Sequence, residues 1–135
     1  MSAQDILRAS GLRPTAQRIA LFTYLADERM PRSICDIIAR LKTQMDAVTV
    51  YRIIESFQNA GIVRQVDLRQ GSPLFELIDE HDHHHIVCTK CERVEDFEGC
   101  NYESLTKTAL KQSSAFASIQ SHSIELFGVC KKCTH

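Results

Sequence analysis

The stretch AVTVYRIIESFQNAG, residues 47–61, places Val50, Ile53, Ile54 and Phe57 at the i, i+3, i+4, i+7 spacing of one helical face. Asp46 stands before it as an N-cap and Gly61 after it as a C-terminal stop, so it reads as a complete amphipathic helix. With those four residues turned inward, Thr49, Tyr51, Arg52 and Ser56 are left outside. Hydroxyl, phenol and guanidinium groups are what a helix uses in a nucleic-acid groove, where they meet phosphates and base edges. Each is equally at home on a solvated surface, so the neighbourhood of the helix has to decide.

Upstream, Ser33 precedes ICDIIARLK, where Ile34, Ile37, Ile38 and Leu41 repeat the same spacing, and a polar break separates this second helix from the first. Thr15 can cap AQRIALFTYLAD with Ile19, Phe22 and Ala26 expected inward, and SAQDILRAS suggests a short leading helix. Downstream, GIVRQVDL and SPLFELID flank the turn RQG and predict a two-stranded hairpin. Three helices followed by a hairpin make a winged helix-turn-helix with residues 47–59 in the recognition position. Periodicity alone fits a generic small helical domain as well. The candidate linker is DLRQGSP or the chain just after Leu77.

The second half has a different chemistry. The segment EHDHHHIVCTKC, residues 80–91, holds four histidines and two cysteines, and all six histidines of the chain lie at or after His81. CTKC (Cys88, Cys91) and CKKC (Cys130, Cys133) are Cys-x-x-Cys pairs. One such pair grips an ion from a tight turn, and two complete a tetrahedral thiolate zinc site closed to water. A thioredoxin-like redox pair is the alternative, but it needs a single motif at a helix start. Cys35 and Cys100 are left as helix filler and a possible auxiliary ligand. If HDHHHIV is a strand, alternation puts His81, His83 and His85 on one face and Asp82 and His84 on the other, so one strand can serve two further sites. Imidazole with carboxylate suits iron, zinc, manganese, cobalt or nickel.

Composition sets the bounds. The chain has 135 residues, 44% of them hydrophobic, enough for one domain or two small ones. Residues 1–65 carry nine Lys and Arg against six Asp and Glu, and residues 66–135 carry seven against eleven, which suggests two jobs. No apolar run approaches the roughly 20 residues of a membrane span, and MSAQDILRASGLRPTAQR lacks the order of a secretory signal. A cytoplasmic location and no membrane partner are expected, with cysteines serving as ligands or buried thiols rather than disulfides. A metallohydrolase would show H-E-x-x-H or H-x-E with P-C-x-x-C, and neither occurs, so no enzyme is expected.

The motifs GLRPTAQR, AVTVYR, FEL, HHHIVCTKCERVEDFE and SHSIELFGVCKKC, in this order, resemble the ferric uptake regulator (Fur) family of metal-dependent repressors over nearly the whole chain. The resemblance implies an α+β homodimer. A winged helix-turn-helix DNA-binding domain, residues 1–78, would precede a small α/β metal-binding dimerisation domain with a structural zinc site, residues 79–135. It assigns structural Zn(II) to Cys88, Cys91, Cys130 and Cys133, and a regulatory metal to Glu76, His83, His85 and Asp96. A second metal site falls to Asp82, His84, Glu103 and His122. Arg13, Thr49, Tyr51 and Arg52 become the contacts to a double-stranded, palindromic operator.

This sequence departs from the family pattern in places. Pro31 stands where similar proteins supply a histidine to the regulatory site, and His81 is the candidate substitute. Asp82 and His84 exchange the usual order of ligand types, and Val48 replaces an alanine. Fe(II) and Zn(II) are the two expected effectors, since selectivity depends on geometry and supply as much as on ligand type. The expected function is metal-responsive repression of metal-homeostasis genes, the ion bridging the two domains to fix a DNA-competent dimer. The alternatives are a peroxide-sensing member of the same family or a metal-buffering protein.

Overall fold

The computed structural model describes residues 2–28, 30–78, 84–99 and 101–134. The chain divides into two compact units, Met1–Asp79 and Glu80–His135. In the first, helices α1 (Ala3–Ala9) and α2 (Ala16–Asp27) lead to a short strand β1 (Arg32–Ser33), helices α3 (Ile34–Leu41) and α4 (Ala47–Asn59), and a hairpin of β2 (Val63–Val66) and β3 (Leu74–Leu77). Both strand pairings are antiparallel, in the order β1-β3-β2, so the wing is a three-stranded sheet.

Local chemistry accounts for where the helices start. Ser2, Thr15, Ser33 and Asp46 each sit in extended backbone and accept a main-chain N–H from the third residue on. The shortest of these bonds, from Thr49 N–H to Asp46 Oδ1, is 2.8 Å and fixes the first turn of α4. Such caps are worth about 1 kcal/mol each. At the other end of α4, Gly61 takes a φ of 74°, and the Ile62 N–H reaches back 2.9 Å to the Phe57 carbonyl. A side chain is disfavoured at that left-handed position, which is why a glycine ends this helix.

Val50, Ile53, Ile54 and Phe57 are all buried, as periodicity predicts, together with Ile37 and Leu41 from α3. The expected inward face of α2 is corrected in part. Leu21, Phe22 and Leu25 are buried, Ile19 only packs at the edge of the core, and Ala26 is exposed. Two leucines remove more apolar surface from water than an alanine can, so the helix turns toward them. Phe57 is completely buried, and Phe57→Ala is expected to cost about 3–5 kcal/mol, read as a lower urea midpoint for the first unit.

The second unit holds β4 (His84–Cys88), β5 (Val94–Phe97), helix α5 (Tyr102–Gln112), β6 (Glu125–Gly128) and one 3-10 turn, Lys131–Cys133. Strand β4 is central, antiparallel to β5 and parallel to β6. The expected strand HDHHHIV is described from His84 onward; His81, Asp82 and His83 lie outside the described residues. Apolar burial is scarce: among its described residues only His84, His85, Val87 and Cys88 are buried, and α5 buries none of its side chains.

Candidate metal centre and nucleic-acid interface

The parallel pairing of β4 with β6 sets Cys88 opposite Gly128, two residues before Cys130. The Thr89 N–H donates to the Gly128 carbonyl at 2.8 Å and continues the register past the strand. A tight turn then brings Cys91 back. The Glu92 N–H donates to the Cys88 carbonyl at 2.9 Å, and Glu92 itself adopts a φ of 65°. On the other side, Cys130 caps the 3-10 turn, with the Cys133 N–H on its carbonyl at 3.0 Å.

All four thiols therefore converge, with ligand atoms within 4.8 Å of one another. The sulfurs of Cys91 and Cys130 are 3.7 Å apart. Tetrahedral zinc ligands lie about 3.8 Å from each other when each is about 2.3 Å from the ion, whereas a disulfide needs about 2.05 Å. Main-chain N–H groups of Cys130 (3.3 Å) and Cys91 (3.5 Å) point at the Cys88 sulfur. These donors pull the Cys88 thiol down to about 6, toward the thiolate that a metal needs. Within the cluster the hydrogen bond to Cys130, then that to Cys91, pushes Cys133 up to about 12. The donor set and spacing fit one closed structural zinc ion.

Both described histidines of the histidine-rich strand are buried, one on each face, while Ile86 on the face of His84 is exposed. His85 is fully buried and faces Asp96 across the β4·β5 ladder, with Nε2 3.6 Å from Oδ1. His84, on the other face, lies against Phe97 at 5.5 Å and His122 at 5.2 Å between ring centroids. Glu103 sits exposed in the first turn of α5. Among the described residues, the four cysteines are the group of three or more potential ligands that converges, so Glu103 is not drawn in beside His84 and His122. Of the remaining assigned ligands, His83 and Asp82 lie outside the described residues, as do His81 and Cys100. Glu76 belongs to the other unit, buried on β3 and held by Arg64. Pro31 is buried, and Cys35 is exposed on α3.

On the first unit, the outward face of α4 carries Tyr51, 56% exposed, and Arg52, also exposed, with Thr49 half-buried. Arg13 is exposed between α1 and α2.

Residues 9–127 match the ferric uptake regulator family. The chain belongs to that family. This Fur-family chain is 31% identical over 132 residues to the ferric uptake regulation protein of Neisseria meningitidis, covering 94% of this chain and 90% of that one. It is 30% identical over 131 residues to the peroxide-responsive repressor PerR of Staphylococcus epidermidis, with 94% and 85% covered. Its fold matches that of the ferric uptake regulator from Pseudomonas aeruginosa with manganese at a TM-score of 0.78 and 26% identity, over 98% of this chain and 100% of the other. Fur-family chains are transcription regulators, not enzymes, and the α+β fold with its four-thiol cluster agrees with that class. No described helix is long and apolar enough to cross a membrane.

Two contacts escape a reading of motifs alone. Tyr102 stacks on His122 with centroids 4.1 Å apart, and Arg64 pairs with Glu76. The second was accessible in principle, because the hairpin register decides which residues of the two strands face each other.

Proposed function

We infer that this Fur-family chain is a cytoplasmic repressor of metal-homeostasis genes, acting as a homodimer on a palindromic operator. Cys88, Cys91, Cys130 and Cys133 hold structural Zn(II). Glu76, His83, His85 and Asp96 take Fe(II) or Zn(II) as the regulatory metal. The carrying observation is one chain with two kinds of equipment: a winged helix-turn-helix whose α4 exposes Tyr51 and Arg52, and a His85–Asp96 pair across β4 and β5, with β4 ending in the four-thiol cluster.

Glu76 from the first unit and His83, His85 and Asp96 from the second would hold one ion, and a shared ion would restrict the relative orientation of the units. Thr49, Tyr51 and Arg52 then meet the major groove and Arg13 the backbone or minor groove, at a half-site spacing that the two-fold dimer must match. A metal that binds only the competent arrangement shifts its population without being part of the interface. Dimerisation is supported by apolar surface on the second unit, where Ile86 and Leu126 are neighbours in the β4·β6 register and both exposed, as is Leu105 on α5. The closeness of His84 and His122 supports a second metal site with Asp82; Glu103, exposed and not beside the two rings, would complete it only by moving toward them.

A gel shift on palindromic DNA with zinc-replete protein, titrated with Fe(II), Zn(II), Mn(II) and Ni(II), tests this. Operator binding that ignores every metal would sink it. His85→Ala is expected to keep one zinc per chain and the dimer, while its regulatory metal affinity falls about 10- to 100-fold or more and the metal-dependent gain in DNA binding disappears.

A further inference from the structure

Among the described residues Glu76 is the single buried carboxylate, 7% exposed. A carboxylate taken out of water needs a counter-charge and hydrogen bonds. Both come from Arg64, directly opposite in the β2·β3 ladder, whose Nε donates to Oε1 at 2.7 Å and whose Nη2 lies 2.6 Å from the same oxygen. The pair lies close to where the ladder ends, at the hydrogen bond from Ile78 N–H to the Ile62 carbonyl. A second ion pair of this unit, Arg32 with Glu28, is an i, i+4 contact, partly exposed on both sides, and makes no comparable demand.

The geometry points to Arg64 as the residue that sets how much metal the regulatory site requires, because its guanidinium and a divalent cation compete for the Glu76 carboxylate. This rests on Glu76 being a regulatory ligand, as proposed above. One negative charge neutralises one cation well. For Glu76 to serve a metal it must either give up its charge-assisted contacts with Arg64 or hold two mutually repelling cations on one carboxylate. Either route weakens metal binding by an amount that Arg64 governs. The guanidinium is permanently charged and presents its donors in a rigid fork, so it is a stronger competitor than a lysine would be. A site weakened in this way half-fills at a higher metal concentration, so Arg64 would set the range in which the protein responds.

The test titrates Mn(II), stable in air, into zinc-replete wild type, Arg64→Gln, Arg64→Lys and Glu76→Gln, by calorimetry and by operator gel shift. With the competing guanidinium and its charge gone, Arg64→Gln is expected to bind Mn(II) about tenfold tighter and to reach half-maximal operator binding at correspondingly less metal; a partner that merely supported a ligating carboxylate would instead lose affinity when removed. Arg64→Lys should shift the same way by about threefold, and Glu76→Gln should lose the site. Without added Mn(II), Arg64→Gln should unfold at lower denaturant, having stranded a buried carboxylate, and the double change with Glu76→Gln should restore part of that loss. Unchanged or weaker Mn(II) binding in Arg64→Gln, beside a normal wild-type titration, overturns the role of Arg64. If that variant does not fold, Arg64→Lys decides by the same criterion. A wild type whose Mn(II) binding does not depend on Glu76 overturns instead the ligand assignment beneath it.

Discussion

Replacing Cys88 with serine is expected to strip the zinc and unfold the second unit, while the first keeps its helices. The reason is the imbalance of the two cores. Residues of the first unit bury a continuous cluster from Leu7 through Phe75, whereas the described second unit buries Val87 and Cys88 with two histidines. A fully buried aliphatic side chain contributes about 1.5–3 kcal/mol, far short of the roughly 1–2 kcal/mol of backbone entropy lost per ordered residue across a small domain. Structural zinc supplies on the order of 10 kcal/mol in comparable modules, so here it is a main source of folding free energy. Cys88 is also the thiol on which two main-chain N–H groups converge, and the shorter serine side chain sets its oxygen back from both while offering zinc no thiolate. Intact-mass spectrometry should show no zinc, and circular dichroism should show the strand signal lost and most helix retained. A Cys88→Ser protein that remains dimeric, zinc-loaded and metal-responsive would mean that the structural and regulatory sites have been assigned backwards.

The largest effect on DNA should come from Tyr51 and Arg52. Both project from the outward face of α4, while Val50 and Ile53 beside them are buried, so the double change to alanine should alter stability by no more than about 0.5 kcal/mol per site. A good base-edge contact is worth about 1–3 kcal/mol, and a two-fold dimer uses each one twice, so specific binding should fall at least about 100-fold. Zinc content should not change. Arg13→Ala should act differently, weakening binding evenly across sequences and lowering the salt-dependence slope of the dimer by about two, one for each protomer. Operator and random duplexes, each titrated at two salt concentrations, separate the two behaviours. Undiminished operator preference in the double variant would rule out α4 as the reader.

Much of this was legible before any coordinate was known, because it depends on residues near one another in the chain. Asp46, the 3.6-residue spacing of Val50, Ile53, Ile54 and Phe57, and Gly61 define α4 by local sterics and hydrogen bonding alone. The two Cys-x-x-Cys pairs announce thiolate chemistry by spacing. Long-range pairing is another matter. That Arg32–Ser33 joins the wing, that β4 runs parallel to β6 and so sets Cys88 beside the second cysteine pair, and that Arg64 faces Glu76 depend on strand registers no short window contains. The burial of both His84 and His85 was equally hidden. Alternation sends the two rings to opposite faces of β4, but only the surrounding elements decide that each ring is covered, one by Phe97 and His122 and the other with Asp96 beside it. Caps and periodicity are settled within a few residues, whereas the environment of a ligand is set by whichever distant segments the fold packs against it.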